Sequence, residues 1–194
     1  KQIKPNEIWW NNIKSHQVNM KSYQNHTESH KIHMKLHKTI QNLWKSTKVR
    51  ENTKITSLTL NPNEVDKIPK KDEDNKVSFR NIINESIYNK FLFSGDDVEK
   101  KIQVIFKNSL EFNHQQYKGK MDLIFIDGGH TYSVVKNDSE KSFDMLKKNG
   151  IILWHDYVLG KRSAKDVVKY IHEISKNKKL YSIKGTSLVY FKNE

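Results

Sequence analysis

The stretch MDLIFIDGGHTY, residues 121–132, decides how the rest of the chain can fold. Its first half is an almost unbroken apolar run, which is typical of a strand buried on both faces of a parallel sheet. The run ends at Asp127, which is followed by two glycines and His130. Ligands of open α/β sheets bind beyond the carboxyl ends of the strands. The pattern therefore favours a site at Asp127 over a carboxylate that only caps the following turn.

The segments around this stretch alternate between strand and helix. Strands are predicted for KITSLTL, KIQVIF and GIILWHDY, at residues 54–60, 101–106 and 150–157, and helices for Ser133–Lys148 and Ala164–Lys176. Asn149 and Gly150 are expected to end the first of these helices. The last segment, LYSIKGTSLVYFK, predicts a hairpin that turns at Lys184 and Gly185. Together they predict a Rossmann-like α/β fold, with a mostly parallel sheet and an antiparallel C-terminal hairpin.

The first part of the chain has a different character, because it is polar and has no Pro or Gly between Asn6 and Asn61. Its apolar residues recur at helical spacing and predict a helix over Ser15–Lys48: they are Ile32, Leu36, Ile40 and Leu43. Two units are predicted, a polar helical segment at 1–53 and an α/β domain at 54–194. Residues 62–100 contain PKKDEDNK and are predicted to form a loop, with a short helix around Phe79–Phe91.

The composition narrows the function classes. The net charge is +13, but only three of the 35 basic residues are Arg: Arg50, Arg80 and Arg162. Because Arg is preferred for bidentate contacts to phosphate and guanine, the Lys surplus favours a solvated basic surface over a nucleic-acid partner. The lack of Cys excludes disulfides and is compatible with a reducing, cytoplasmic compartment. No apolar run reaches the roughly 18 to 20 residues of a membrane span.

Residues 122–157 carry a specific resemblance, through the turn DGGHTY, Asp138 and the final WHDY. This stretch resembles the core of class I S-adenosylmethionine-dependent methyltransferases. It is closest to a branch with an IDG-H-Y…D…WHDY pattern, related to macrolide-sugar and novobiocin-type O-methyltransferases. The resemblance extends loosely over residues 54–191. It implies methyl transfer from S-adenosylmethionine to a hydroxyl of a sugar or another small molecule.

The resemblance also implies roles for the residues at two strand ends. Asp127 and Asp156 are candidate ligands of Mg²⁺, a cation that prefers oxygen donors. His130 and His155 are candidate general bases or ligands, since imidazole titrates near neutral pH. For each His the alternative is a hydrogen bond to a turn. Tyr132 and Trp154 are expected to pack rather than to line a pocket.

The candidate cofactor-binding residues depart from the family pattern. They are Thr59, Asn108, Asp127 and Gly128. The family has acids where this chain has Thr59, which would face the ribose, and Asn108, which would face adenine. The family also has a Glu-x-Gly-x-x-x-Gly loop after its first strand, whereas this chain has no Gly before Gly95. The first strand is therefore expected to be missing, either in a fragment or in a lineage that lost it.

Two alternatives stay open beside the enzyme. The departures favour a degenerate, non-catalytic methyltransferase-like interaction module, and the basic charge favours, more weakly, a nucleic-acid-binding domain. A separate feature is the set His26, His30, His33 and His37, which falls within roughly 60° of one helical face. Such pairs can bind Zn²⁺ or Ni²⁺, but a polar helix edge is the preferred interpretation.

Overall fold

The structure is a computed structural model. The structure describes residues 53–60, 71–74, 94–95 and 97–194, and the backbone of residues 7–11. The predicted helices Ser15–Lys48 and Phe79–Phe91 and the four-histidine set lie outside the described residues. Within them, no helix is long and apolar enough to cross a membrane.

The described part of the chain is a sheet with two α-helices. The strands are β1 (Glu7–Asn11), β2 (Lys54–Thr59), β3 (Ile102–Phe106), β4 (Met121–Ile126), β5 (Leu146–Trp154), β6 (Leu180–Ser182) and β7 (Val189–Lys192). The helices are α1 (Tyr132–Met145) and α2 (Lys165–Ile174), with short 3₁₀ turns at Asp97–Lys101, Gln115–Tyr117 and Arg162–Ala164. The predicted strands of the α/β unit, its two helices and the closing hairpin are thus confirmed, with shifted boundaries.

The seven strands form one sheet in the order β3-β2-β1-β4-β5-β7-β6. The pairings from β3 to β5 are parallel, and the pairings of β7 with β5 and β6 are antiparallel. Parallel strands need crossover connections, and α1 is the crossover between β4 and β5. All five parallel strands therefore end at the same edge, which is called the carboxyl edge below.

The prediction that the first strand is missing is wrong. Glu7–Asn11 forms a strand in the centre of the sheet, where Trp10 pairs with Ser57 of β2 and with Phe125 of β4. Its sequence, EIWWN, is short, but Ile and Trp are residues that favour strands. The central position of the sheet is filled by this segment, although no glycine follows it before Gly95.

The boundary between α1 and β5 also differs from the prediction. The helix ends at Met145, not at Lys148, because Leu146 already pairs with Met121 of β4. The next residues bulge out before pairing resumes between Ile151 and Leu123. The bulge is fixed by Asn193, whose side chain donates to the carbonyl of Lys147 at 3.0 Å. Asn149 and Gly150 thus turn the strand back into the sheet instead of ending the helix.

The core lies between the sheet and the helices. Ile124 and Ile152, from the neighbouring strands β4 and β5, are fully buried at its centre. Trp154 is also buried, and its indole N–H donates to Ser139 Oγ on α1 at 2.8 Å. Tyr132 is buried in the same cluster, which agrees with the packing roles expected for both aromatic residues. This packing fixes the end of β5 against α1, directly before His155.

Candidate functional site

The ends of β4 and β5 meet at the carboxyl edge. The backbone N–H of His155 donates to the carbonyl of Ile126 at 3.0 Å, which continues the pairing of the two strands to their last residues. The side chains that follow them, Asp127, His130, His155 and Asp156, are all buried. The two polar clusters that the sequence places on separate strands are therefore one group, which is called the Asp/His cluster below.

Short contacts connect the members of the Asp/His cluster. His155 Nδ1 is hydrogen-bonded to Asp156 Oδ2 at 3.0 Å and lies 3.0 Å from Asp127 Oδ1. His130 Nε2 lies 2.7 Å from the same Asp156 Oδ2. Asp156 thus joins both imidazoles. The ring of His155 contacts carboxylates, whereas the alternative from the sequence was a hydrogen bond to a turn.

The electrostatics of the Asp/His cluster favour a charged His155. Burial of the imidazole on its own would lower its pKa, but the charge of Asp127 and the bonds to Asp127 and Asp156 outweigh burial and raise the pKa of His155 to about 10. An imidazolium between two buried carboxylates offsets part of their mutual repulsion. His155 therefore holds Asp127 and Asp156 close together.

Asp156 has an unusual backbone conformation. Its φ is 59°, in the left-handed region that non-glycine residues seldom occupy and that Asp and Asn tolerate better than most. Backbone strain of this kind concentrates at functional sites. Lys161, which the sequence did not single out, places its Nζ 3.6 Å from Asp156 Oδ1. The two oxygens of Asp156 therefore face different groups, an imidazole pair and an ammonium at the rim.

Three members of the Asp/His cluster are arranged so that they can hold a cation. Asp127, His130 and Asp156 each offer a ligand atom, and these atoms lie within 4.8 Å of one another. Two carboxylates are the donors that Mg²⁺ prefers, whereas an imidazole nitrogen suits Mn²⁺ or Zn²⁺ as well. The donor set fits a divalent cation, and it includes a histidine that the sequence had assigned as a base or ligand.

The other half of the carboxyl edge is uncharged at the predicted positions. Thr59 ends β2, and its carbonyl accepts from the N–H of Lys107, directly after β3. Asn108 is partly exposed, and its Oδ1 accepts from the N–H of Leu110 at 3.0 Å. Because that bond uses Oδ1, Nδ2 is the side-chain atom of Asn108 that could donate to a ligand. Both residues lie at the edge where a cofactor is expected, but neither supplies the negative charge of an acid.

Two buried aspartates outside the Asp/His cluster bind the start of α1. Asp74 and Asp166 both accept from backbone N–H groups at the start of α1, which follows the loop that carries Asp127, Gly128 and His130. The sequence prediction did not include either residue. Asp166 had one signal, its place in the first turn of a helix. Asp74 lies among other charged residues of the predicted loop, where no local pattern distinguishes it.

A methyltransferase domain family matches residues 38–157, which is more than half of the chain and includes all four residues of the Asp/His cluster. No curated protein sequence matches the chain significantly.

Solved structures share the fold at low sequence identity. A protein from Staphylococcus aureus assigned as a caffeoyl-CoA O-methyltransferase superimposes with a TM-score of 0.54 at 12% identity, over 97% of this chain and 75% of that protein. The O-methyltransferase NovP gives 0.54 at 12%, over 79% and 65%. Spermidine synthase from Thermotoga maritima gives 0.51 at 12%, over 98% and 55%. At such identities the likeness concerns the fold alone.

Proposed function

The chain belongs to the methyltransferase domain family, and we propose that it transfers a methyl group from S-adenosylmethionine to a hydroxyl of a sugar or another small molecule. The observation that carries this proposal is the Asp/His cluster. Two carboxylates and two imidazoles converge at the carboxyl edge, where α/β sheets of this kind bind their ligands.

The proposed chemistry needs a base, because a hydroxyl is a weak nucleophile until its proton is removed. His130 is the candidate for this step, since imidazole is the side chain that most often acts as a general base. Asp156, 2.7 Å from His130 Nε2, orients the ring and stabilises the imidazolium that would form. His155 is assigned a positioning role, because its Nδ1 contacts both carboxylates.

A divalent cation fits the same site. Asp127, Asp156 and His130 would hold it, and when bound it would lower the pKa of the acceptor hydroxyl. If His130 serves as a ligand, it is not available as the base. Comparing activity with and without added Mg²⁺ or Mn²⁺ distinguishes these two roles.

The fit of S-adenosylmethionine is partial. Thr59 and Asn108 can donate or accept hydrogen bonds at positions suited to a nucleoside, and Asp127 and Gly128 follow the adjacent strand β4. A glycine-rich loop after β1, which would let the backbone approach the ligand closely, is not in the sequence, since no Gly precedes Gly95. We therefore expect cofactor binding that depends on side-chain contacts more than on a glycine cradle.

Calorimetry with S-adenosylhomocysteine, followed by transfer of a labelled methyl group to a panel of sugars and catechols, tests the proposal. We expect binding in the micromolar to millimolar range and label in at least one hydroxylated acceptor. The proposal would be contradicted if calorimetry detected no heat of binding at millimolar ligand and if none of the acceptors became labelled.

The second candidate is a non-catalytic methyltransferase-like interaction module. The observation in its favour is the neutral β2–β3 half of the edge, where Thr59 and Asn108 replace the acids of the family, together with the lack of glycine after β1. Such a module would keep its fold and the Asp/His cluster, but its thermal stability would not respond to S-adenosylmethionine or S-adenosylhomocysteine.

A further inference from the structure

We propose that Asp74 and Asp166 are positioning residues: by accepting hydrogen bonds from the first two backbone N–H groups of α1, they fix His130 against Asp156. For its catalytic readout the inference rests on the function proposed above. Its structural content, the dependence of His130 on two distant carboxylates, stands independently of any reaction.

Asp74 is bound to the first turn of α1 by both of its oxygens. Asp74 Oδ1 accepts from the N–H of Ser133 at 2.9 Å, and Oδ2 accepts from the Ser133 hydroxyl at 2.8 Å. Oδ2 also accepts from the N–H of Lys71 at 3.1 Å. The carboxylate is only 6% exposed. A carboxylate that served only as a surface charge would remain in water. The burial of Asp74 with three hydrogen-bond donors therefore indicates that it supports the helix.

Asp166, which follows α1 in the sequence, binds the same turn of this helix. It lies in the first turn of α2, is 4% exposed, and its Oδ2 accepts from the N–H of Tyr132 at 3.0 Å. The ring of Tyr132 is held by the same helix, because its hydroxyl donates to Glu173 Oε2 at 2.5 Å. The start of α1 is therefore fixed to α2 through both the backbone and a side chain.

These bonds replace the usual helix cap. Thr131 is the N-cap residue of α1, a position where Thr commonly caps with its own hydroxyl, yet it makes no side-chain cap bond. Two carboxylates from distant segments take over this role. Negative charge is stabilising at a helix N-terminus because of the helix dipole, so the pair fits its location electrostatically as well as geometrically.

The consequence for the site follows from the shortness of the loop. Residues 127–130 connect Ile126, fixed in the sheet, to Thr131, the residue before the helix. One end of this loop is held by the pairing of β4, and the other end by Asp74 and Asp166. His130 adjoins the second end. If either carboxylate is lost, we expect the helix start to shift and His130 Nε2 to move from its position 2.7 Å from Asp156.

The test is histidine side-chain NMR on the full chain without ligand, at one fixed pH. The His130 ring signals, assigned with His130→Gln, are compared among wild type, Asp74→Asn, Asp166→Asn and Asp144→Asn. Asp144 is the matched control, because it lies on the last turn of α1 and pairs with His114 at 3.0 Å. We expect the His130 signals to shift or broaden in the first two variants and to stay in place in the control.

Methyl transfer by the same variants gives the second readout. We expect turnover to fall about tenfold in Asp74→Asn and Asp166→Asn, as is usual when the groups that orient a reactive residue are lost, with unchanged affinity for S-adenosylhomocysteine. Should Asp74→Asn fail to fold, Ser133→Ala removes only the hydroxyl bond to Asp74 and should shift the His130 signals in the same direction, by less.

The two proposals fail in different ways. His130 signals that stay at their wild-type positions in the folded variants, or in Ser133→Ala, overturn the positioning role whatever the enzyme assay gives. Signals that move in a protein that transfers no methyl group uphold the positioning role and count against the proposed reaction. Equal shifts in Asp144→Asn would also overturn the positioning role, because any loss at α1 would then have the same effect.

Discussion

The two halves of the carboxyl edge differ in charge. At the ends of β4 and β5, four ionisable side chains are buried in direct contact, and one of them occupies a strained backbone conformation. At the ends of β2 and β3, the corresponding positions hold Thr59 and Asn108, which are uncharged and partly exposed. β1 separates the two halves in the sheet.

This difference indicates which half of the edge carries features that lower the stability of the fold. Buried charges and a left-handed Asp lower stability unless they are compensated, so their presence argues for a function at the β4–β5 half. The β2–β3 half carries no such cost and resembles an ordinary sheet edge. We therefore expect chemistry to depend strongly on one half and cofactor affinity to depend weakly on the other.

The largest effect is expected for His130→Gln. Glutamine can still hydrogen-bond to Asp156 but cannot accept a proton near neutral pH, so the methyl-transfer rate should fall between about a hundredfold and ten-thousandfold. The matched control is His114→Gln, because His114 also pairs with an aspartate, at 3.0 Å, on the far end of α1. Equal rates for the two variants would mean that His130 is not the base.

Asp156 substitutions separate charge from backbone strain. Asp156→Ala should lower the free energy of unfolding by about 3–5 kcal/mol, because it takes a partner from two buried imidazoles. Asp156→Asn should cost about 1–2 kcal/mol less than Ala, since Asn tolerates the φ of 59°. Urea unfolding measures both. Identical losses in Ala and Asn would show that the left-handed conformation carries no strain.

Cation binding is a third way to test the β4–β5 half. Mn²⁺ at a hundred times its dissociation constant should raise the free energy of unfolding by about 2.7 kcal/mol. Asp127→Asn removes one of the three donors and should abolish the rise, whereas Asp144→Asn should retain it. Thermal unfolding with and without Mn²⁺ gives the answer, and a rise that survives Asp127→Asn would place the cation elsewhere.

The smallest effect is expected at the β2–β3 half. Asn108→Asp keeps the acceptor for the Leu110 N–H and adds a charged acceptor in place of Nδ2. A hydrogen bond to a charged group is worth about 1 kcal/mol more than a neutral one, so binding of S-adenosylhomocysteine should tighten about fivefold in calorimetry.

The control for this variant is Asn113→Asp, since Asn113 makes the same local bond, to the N–H of Gln115 at 3.1 Å. Tighter binding in both variants would indicate a general charge effect. No change in either would mean that Asn108 does not contact the cofactor.

Features set by contacts between residues close in the sequence could be predicted, whereas features set by contacts between distant residues could not. The apolar runs ending at Asp127 and Trp154 are local patterns, and they predicted both strands and the residues that follow them. β1 was missed because five residues within a polar segment give a weak periodic signal; its place is decided by pairing with β2 and β4. The early end of α1 was missed because contacts between residues distant in sequence decide it. Leu146 pairs with Met121, and the side chain of Asn193 donates to the carbonyl of Lys147.

Asp74 shows the limit most clearly. In PKKDEDNK it is one of three neighbouring acids, and the charged composition predicts that all three are exposed to solvent. Only the tertiary bonds to Ser133, 59 positions away, distinguish it. The sequence could therefore predict which polar side chains follow β4 and β5, but not which distant residues bind the start of the helix beside them.

The central position of β1 has a consequence for how the chain folds. Ile8 pairs with Leu123 of β4, which lies 115 residues later in the sequence. Pairings between such distant segments carry a large loop-closure entropy and slow the folding rate. We expect the middle of this sheet to form last, so that nascent chains expose an unpaired apolar strand, which makes them dependent on chaperones and prone to aggregation.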